Sequence, residues 1–335
     1  MTNVLVIGTG GVGAIVAYGI DYTGKSNLSV VVRRDYEKVL QKGWQITSCD
    51  YGEIKNWKPA NIFPSIEAAR KIEYDFVVIT TKNLPDITPL HELITPVITP
   101  AKTSIILMQN GFDLGTPFIE KYPENVVISG VSMIGSHNNN GTITHIQPDK
   151  TTIGFFDNPN LSKEFQESKT KEFISIYNND KNSSVYNSNT KETRYRKLVY
   201  NASLNSVAAL TGIDTGRLLL SGGMESISIP IMREIKQVAK ADGVILPDDI
   251  INTMVHSDDG DWYQPSMLID VKKGNPIELE VIVGNLSRVA HKLNVPTPTL
   301  DLVYLLLKVV QFKLKESNGI ITIPKEFPIS DKYYE

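Results

Sequence analysis

With 335 residues, the chain is long enough for about two domains and for a core that needs no disulfide or structural metal. A net charge of −3 gives no basic excess for nucleic acid or anionic lipid, so neither is expected as a partner. The single cysteine, Cys49, excludes a disulfide framework and a cysteine-cluster site, and the five histidines show no metal-ligand spacing, so no metal is predicted.

The N-terminal twenty residues are apolar and rich in glycine, but they lack the basic leader of a signal peptide. We therefore interpret them as part of the fold. No uninterrupted apolar run of about 18 residues occurs, so no membrane span is predicted. Both features lead to the expectation of a cytoplasmic protein.

The first half alternates strands with helical segments, the pattern of βαβ units in a parallel sheet. Continuous apolar runs, typical of strands buried on both faces, occupy residues 3–7, 28–32, 76–80, 104–108 and 126–129. Residues 12–20 and 162–177 predict helices. The β-rich residues 141–156, centred on Pro148-Asp149, predict a hairpin that extends the sheet, and residues 184–186 predict one short strand.

Beyond a polar stretch at residues 178–192 the pattern becomes helical, over residues 194–210, 226–242, 278–293 and 299–314. Gly243 and Asn294-Val295-Pro296 are stop signals for two of these helices. We predict an α/β protein: a Rossmann-type, doubly wound parallel sheet in residues 1–189, followed by an all-α domain in residues 190–335. The tail from residue 320 is expected to pack as extended chain.

The pattern G-x-G-x-x-G lies between the first strand and the first helix, the context in which it signals a dinucleotide. Gly8 permits the tight turn, Gly10 lets backbone N–H groups approach a pyrophosphate, and Gly13 lets the helix pack closely on the sheet. The predicted cofactor site therefore consists of Gly8, Thr9, Gly10, Gly11, Val12 and Gly13.

The residue type at the end of the second strand indicates whether a dinucleotide-binding site prefers NAD or NADP. NAD enzymes usually place an acidic residue there to bind the ribose 2′-hydroxyl, whereas this chain has Arg33-Arg34. Because a guanidinium binds a 2′-phosphate with two parallel hydrogen bonds, we predict NADP, with Arg33 at the phosphate. Asp35 leaves open the alternative of a carboxylate at the ribose.

Lys197, Asn201 and Asn205 follow one another at intervals of four, so they lie along one face of the predicted helix. Such polar side chains among apolar neighbours need hydrogen-bond partners, and a substrate carboxylate or hydroxyl would supply them. The alternative is a solvated polar stripe.

In combination, these segments resemble the ketopantoate reductase (2-dehydropantoate 2-reductase) family over roughly residues 3–310. The resemblance rests on the glycine pattern and on further short motifs in the same order: Thr81-Lys82, Gln109-Asn110-Gly111, Arg196-Lys197-Leu198 with Asn201 and Asn205, Pro265-Ser266-Met267, and Pro276-Ile277-Glu278-Leu279-Glu280. It implies NADPH-dependent reduction of 2-dehydropantoate to pantoate, a step in pantothenate biosynthesis.

The resemblance also implies residue roles. Lys197 matches the family's general acid, and Glu278 matches a catalytic glutamate that orients the substrate or pairs with the lysine. Lys82 matches a cofactor-binding position near the substrate, and Asn110 is implied to contact both the substrate and the nicotinamide ribose. The implied substrate-binding residues are Asn110, Asn201, Asn205 and Ser266.

Three departures leave the natural substrate open: Glu280 where many members have aspartate, Ser206 where proline is common, and Trp262-Tyr263 just before the Ser266 motif. A paralogous reductase of another ketone or keto acid fits as well. A non-catalytic NADP sensor is a further alternative, although it predicts loss of the general acid. Dehydrogenases of the 6-phosphogluconate or 3-hydroxyacid type carry a Ser/Gly-rich loop that this sequence lacks. The oligomeric state is undetermined, and a homodimer is compatible with the family.

Overall fold

In the computed structural model, which describes residues 1–326, the chain divides into two compact units, Met1–Lys197 and Leu198–Glu335. The division falls inside a helix that begins at Thr190, whereas the sequence pattern places the boundary ahead of it, at residue 190. The difference arises because the first turns of this helix pack in the first unit. There, the Tyr195 ring lies 4.4 Å from that of Phe112.

The described part of the first unit holds twelve strands. They are β1 (Thr2–Ile7), β2 (Ser26–Val31), β3 (Trp44–Ser48), β4 (Gly52–Trp57), β5 (Asn61–Phe63), β6 (Phe76–Ile79), β7 (Ser104–Leu107), β8 (Val127–Ser132), β9 (Gly135–Asn139), β10 (Thr142–Gln147), β11 (Lys150–Phe155) and β12 (Ser183–Tyr186).

Eight strands form the main sheet, in the order β12-β11-β8-β7-β6-β1-β2-β5. Its centre is parallel, with Val4 of β1 paired to Leu28 on one side and to Phe76 on the other. The antiparallel pair is β8 with β11. Because the chain adds strands on both sides of β1, the sheet is doubly wound, as predicted. The apolar runs predicted to be buried on both faces are indeed buried along β1, β6 and β7.

A second, four-stranded sheet in the order β4-β3-β10-β9 was not predicted. The predicted hairpin at residues 141–156 is wrong, because β10 pairs with β3 and β9, whereas β11 pairs with β8 and β12. The physical reason why β10 and β11 join different sheets is Asp149, which lies between the two strands. It is 1% exposed, its N–H donates to Asp50 Oδ2 at 2.9 Å, and its carboxylate accepts from Thr151, Tyr177 and Asn182. The residue thus anchors a crossing between sheets.

Six helices of the first unit lie between its strands along the chain, and a seventh follows the last strand. Ser162 begins the longest of them as predicted, since its Oγ accepts the N–H of Phe165 as an N-cap. These helices are α1 (Gly11–Tyr22), α2 (Tyr36–Lys42), α3 (Ile66–Ala69), α4 (Leu90–Leu93), α5 (Thr116–Lys121), α6 (Lys163–Tyr177) and α7 (Thr190–Tyr200), with a short 3₁₀ turn at Thr95–Val97.

The described part of the second unit is helical throughout, which confirms the all-α prediction. Its helices are α8 (Ser206–Thr211), α9 (Thr215–Leu220), α10 (Ile229–Ala241), α11 (Ile250–Val255), α12 (Ser266–Lys272), α13 (Asn285–Lys292) and α14 (Pro298–Ser317). Three predicted helices contain a π-helical turn instead of continuing as regular α-helix, at Asn201–Asn205, Met224–Ser228 and Glu280–Gly284. The first of these turns contacts the other two. Such wide turns are rare and are often found at functional sites.

Residues 320–326 form turns and irregular chain, and the rest of the predicted extended tail lies outside the described residues. Among residues 1–326, no helix combines the length and the hydropathy needed to cross a membrane.

Candidate active site

The glycine pattern turns the chain from β1 into α1. Gly8 has φ of 97°, a conformation that residues with side chains rarely adopt. A Cβ at Gly13 would collide with the carbonyl oxygen of Gly8, so only glycine allows the helix to lie this close. A Cβ at Gly10 would meet no atom within 4 Å. Protein atoms therefore pack against the turn at Gly8 and Gly13, whereas the space beside Gly10 is free. This arrangement is the one that a pyrophosphate-binding turn requires.

Strand β9 of the second sheet packs against this turn, a contact with no sequence signal. A Cβ at Gly11 would collide with the Ser136 carbonyl, so this glycine accommodates protein backbone. Asn138 Nδ2 donates to the Thr9 carbonyl at 2.9 Å and to Asp35 Oδ2 at 3.0 Å. Asn138 is thus a residue that sequence reasoning missed, and it holds the glycine turn in place.

At the end of β2, the two arginines and the aspartate differ in their exposure and in their hydrogen-bond partners. Asp35 is 6% exposed, and its carboxylate accepts from Asn138 and from Arg34 Nε at 3.1 Å. This carboxylate is therefore occupied by internal partners and does not stand free for a ribose. Arg33 is exposed and forms no ion pair with any residue in the described part of the chain. Its guanidinium is therefore accessible to a ligand at this end of the strand.

The loops after β6 and β7 contribute further polar groups. Gln109 Nε2 donates to the Thr81 carbonyl at 2.6 Å and joins the two loops. Among the buried oxygens of the described residues that have no hydrogen-bond partner, three belong to these loops and to β9: Thr81 Oγ1, Gln109 Oε1 and Ser136 Oγ. An unsatisfied buried polar group costs about 1–3 kcal/mol, which a polar ligand can recover. Together with the open Gly10, these oxygens fit a bound dinucleotide. Lys82 is exposed, and Asn110 is half-buried beside Gln109.

Lys197 is the last residue of the first unit and is half-buried near the end of α7. Its Nζ donates to the carbonyl of Ser132, at the end of β8. One turn earlier, the guanidinium of Arg194 is buried against the loop that carries Asn110. Sequence reasoning missed Arg194, because its contacts are all distant in sequence.

In the second unit, the first π turn carries the two predicted asparagines. Asn201 is 7% and Asn205 2% exposed, so the alternative of a solvated stripe is wrong. Asn205 Nδ2 lies 3.4 Å from Ser266 Oγ, at the first residue of α12. Asn205 Oδ1 is buried without a partner, an acceptor left for a ligand donor. Glu278 is half-buried just ahead of another π turn.

The departures from the family pattern have structural partners in this unit. Glu280 accepts from Tyr304 at 2.8 Å and pairs with Arg288 at 2.8 Å, so it ties α14 to α13. Trp262 is 56% exposed and stacks over Arg217, with 4.8 Å between the guanidinium carbon and the ring centre. The indole therefore covers α9.

The loop before Ser266 carries a partly buried hydrogen bond. The Tyr200 hydroxyl donates to Asp258, and burial raises the pKa of both groups. Because Tyr200 directly precedes the first π turn, this bond connects the loop to the segment that carries Asn201.

Cys49, Asp50 and His145 bring ligand atoms within 4.8 Å of one another. Ser48 Oγ accepts the N–H groups of Asp50 and Tyr51, at 3.2 and 3.0 Å, and shares a hydrogen bond of 2.8 Å with His145 Nδ1. The other ring nitrogen, Nε2, is buried without a hydrogen-bond partner and lies 3.8 Å from Asp50 Oδ2. This cluster links β3 to β10.

The chain matches two models of one family. The model for ketopantoate reductase PanE/ApbA matches residues 4–158, and the model for its C-terminal domain matches residues 189–311. An uncharacterized protein of Saccharomyces cerevisiae is 36% identical and aligns over 96% of this chain and 97% of its own length.

Solved structures share the fold. The 2-dehydropantoate 2-reductase of Methylococcus capsulatus is 31% identical, with a TM-score of 0.80 and coverage of 93% of this chain and 97% of the other. A dimeric ketopantoate reductase from Staphylococcus aureus is 21% identical, with a TM-score of 0.74 and coverage of 93% and 99%, and at that identity shows the fold alone. Since the two models span both halves of the chain and a solved reductase aligns along nearly all of it, the chain belongs to the ketopantoate reductase family of oxidoreductases.

Proposed function

We propose that the chain is an NADPH-dependent reductase of a small 2-keto acid, with 2-dehydropantoate as the lead substrate and pantoate as the product. Membership in the family supports the reaction class. The observation that carries the proposal is the glycine turn, which leaves free space at Gly10 and lies next to Thr81 and Ser136, two residues whose side-chain oxygens are buried without partners. These groups fit a dinucleotide better than an empty surface turn.

The residues of the first unit would hold the cofactor. Backbone N–H groups of the glycine turn would bind the pyrophosphate, and Arg33 would bind the 2′-phosphate. Lys82 and Asn110 would lie at the nicotinamide end. When bound, the cofactor supplies the hydride.

The chain's own side chains would then supply the proton and hold the substrate. Lys197 would stabilise the developing alkoxide as an ammonium and donate its proton to the carbonyl oxygen. Ser266 and the amide N–H groups of Asn201 would bind the substrate carboxylate, and Glu278 would orient the hydroxyl. Asn205 Oδ1, an acceptor without a partner, favours a substrate that carries a hydroxyl donor. 2-Dehydropantoate has such a hydroxyl, whereas pyruvate has none.

The test is the loss of NADPH absorbance with 2-dehydropantoate beside a panel of 2-keto acids and simple ketones. We expect saturable turnover of 2-dehydropantoate well above the panel. Turnover confined to another carbonyl would replace this substrate with that of a paralogous reductase. NADPH binding with no turnover across the panel would contradict the reductase proposal and support a sensor.

We also infer that the chain forms a homodimer through α14. Five large apolar side chains form one stripe at heptad-like spacing along this helix, and each is at least 43% exposed: Leu302, Leu305, Leu306, Val309 and Phe312. Contiguous exposed apolar surface of this kind marks interaction sites. An antiparallel, two-fold pairing would set Leu302 against the partner subunit's Phe312 and Leu305 against the partner's Val309, so the stripe is self-complementary. The Staphylococcus aureus ketopantoate reductase, which shares this fold, is itself dimeric.

The variant Leu305→Asp is expected to shift the protein from dimer to monomer in analytical ultracentrifugation, because it places a carboxylate at the centre of the stripe. Ile245→Asp is the matched control, since Ile245 is 74% exposed and lies outside α14. A monomeric wild type, or a dimer unchanged by Leu305→Asp, would contradict the assignment.

A further inference from the structure

Arg194 of α7 is 3% exposed, and its guanidinium contacts the loop that follows β7. One terminal nitrogen donates to the carbonyl oxygens of Gln109, at 2.7 Å, and of Gly111, at 3.0 Å. The other terminal nitrogen lies 3.3 Å from the carbonyl of Leu107. Both neighbours of Asn110 therefore have their carbonyl groups held by one planar guanidinium, and this limits how the Asn110 backbone can turn.

The same guanidinium also holds strand β8. Its Nε donates to Ser129 Oγ at 3.0 Å, and a terminal nitrogen lies 3.5 Å from the Gly130 carbonyl. Two residues farther along this strand, the Ser132 carbonyl accepts from Lys197 Nζ. Arg194 and Lys197 are one helical turn apart on α7, so a single side chain connects the helix of the proposed general acid to the strand its ammonium contacts.

All five acceptors of Arg194 are neutral oxygens, and the Phe156 ring lies 5.4 Å from the guanidinium carbon. Burial lowers the pKa of Arg194 to about 9, still above neutral pH, so the group stays charged there. A buried charge without an anionic partner is costly, and an apolar side chain of similar volume would pack at lower cost. An apolar side chain, however, donates no hydrogen bond, whereas the guanidinium donates to two carbonyl groups from one nitrogen and holds them in a fixed plane.

We propose that Arg194 is a positioning residue that sets the placement of Asn110 relative to Lys197. This inference rests on the proposed function. Arg194 does not touch substrate or cofactor. It acts by fixing the Gln109–Gly111 loop, strand β8 and α7 to one another, so that the groups at the nicotinamide ribose and at the keto oxygen keep their separation.

The test compares Arg194→Met and Arg194→Lys with wild type. We expect kcat for 2-dehydropantoate to fall about 100-fold in Arg194→Met, because a displacement of about 1 Å at reacting groups costs a factor of this size. NADPH should bind about tenfold more weakly, the scale of one lost hydrogen bond. The fragment 2′,5′-ADP, which lacks the nicotinamide ribose, should bind as it does to wild type. Arg194→Lys keeps the charge but not the planar arrangement of donors, so its kcat and its NADPH affinity should lie between those of wild type and Arg194→Met.

Arg196→Met is the matched control, because Arg196 is an exposed arginine on the same helix and, within residues 1–326, pairs with Glu192 alone, at 3.8 Å. Methylguanidine added to Arg194→Ala should restore turnover, and it should not do so for Lys197→Ala. Equal weakening of NADPH and 2′,5′-ADP, in step with a loss of folded protein, would show a general structural role and overturn the proposal. So would wild-type kinetics in both Arg194 variants.

The outcomes for wild type separate the two proposals. If wild type binds NADPH but reduces no keto acid, the proposed reaction fails, while the difference between NADPH and 2′,5′-ADP binding still tests Arg194. If wild type binds neither ligand, both proposals fail.

Discussion

Replacing Lys197 by alanine is expected to lower the turnover of 2-dehydropantoate by about 10²–10⁴-fold, the usual contribution of a positioned general acid. NADPH affinity should stay nearly unchanged, because the residues proposed to bind the phosphates lie on the glycine turn and at the end of β2. The structure places Lys197 half-buried on α7, with Nζ held by the Ser132 carbonyl. A carbonyl acceptor orients the ammonium without removing its charge, so the proton stays available for the alkoxide.

Steady-state kinetics and NADPH fluorescence titration on the same preparation would check this expectation. Lys163→Ala serves as the control, since Lys163 lies at the start of α6 and its side chain is 74% exposed. Wild-type turnover in Lys197→Ala would remove Lys197 from the mechanism. A parallel loss of turnover and NADPH binding would instead indicate damage to the fold.

Replacing Arg33 by alanine is expected to weaken NADPH binding by about 10- to 100-fold and to leave NADH binding nearly unchanged, because only NADPH carries the 2′-phosphate. Arg33 is exposed, so the effect should shrink as ionic strength rises and the charges are screened. Direct titration of both dinucleotides at low and high salt measures this difference.

Arg34→Ala is the informative comparison, because the two arginines are adjacent and chemically identical. Arg34 is held by the buried carboxylate of Asp35, whereas Arg33 is not. We therefore expect the smaller effect from Arg34→Ala. Equal weakening of NADPH and NADH by Arg33→Ala would refute the 2′-phosphate assignment.

The glycine turn shows which contacts a sequence motif predicts and which it does not. The roles predicted for Gly8, Gly10 and Gly13 each have a matching geometry, because a positive φ and a missing Cβ act on atoms close in sequence or on an adjacent element. Gly11 differs: its missing Cβ makes room for the backbone of Ser136, more than 100 residues away. Nothing in the spacing of the motif indicates that contact.

The helical half shows a similar limit. Intervals of four predicted that Lys197, Asn201 and Asn205 share a face, and the asparagines are indeed buried as a substrate site would need. The helix nevertheless changes to a π turn at Asn201–Asn205. Packing against the other two π turns accompanies this change, and the apolar pattern of one helix contains no information about its neighbours.

Residue order by itself determined the sheet-and-helix class, the parallel strands buried on both faces, the glycine turn and the family, because apolar periodicity and short motifs are local properties. Only the tertiary structure decided which strands pair, since β10 leaves the main sheet at the buried Asp149 to join β3. It also decided that the Asp35 carboxylate accepts hydrogen bonds from Asn138 and Arg34, and that Arg194 donates hydrogen bonds to the carbonyl groups of both neighbours of Asn110. The contacts of Asn138 with Asp35 and of Arg194 with the Asn110 loop join groups tens of residues apart in partly or fully buried places, where an unmade hydrogen bond is costly.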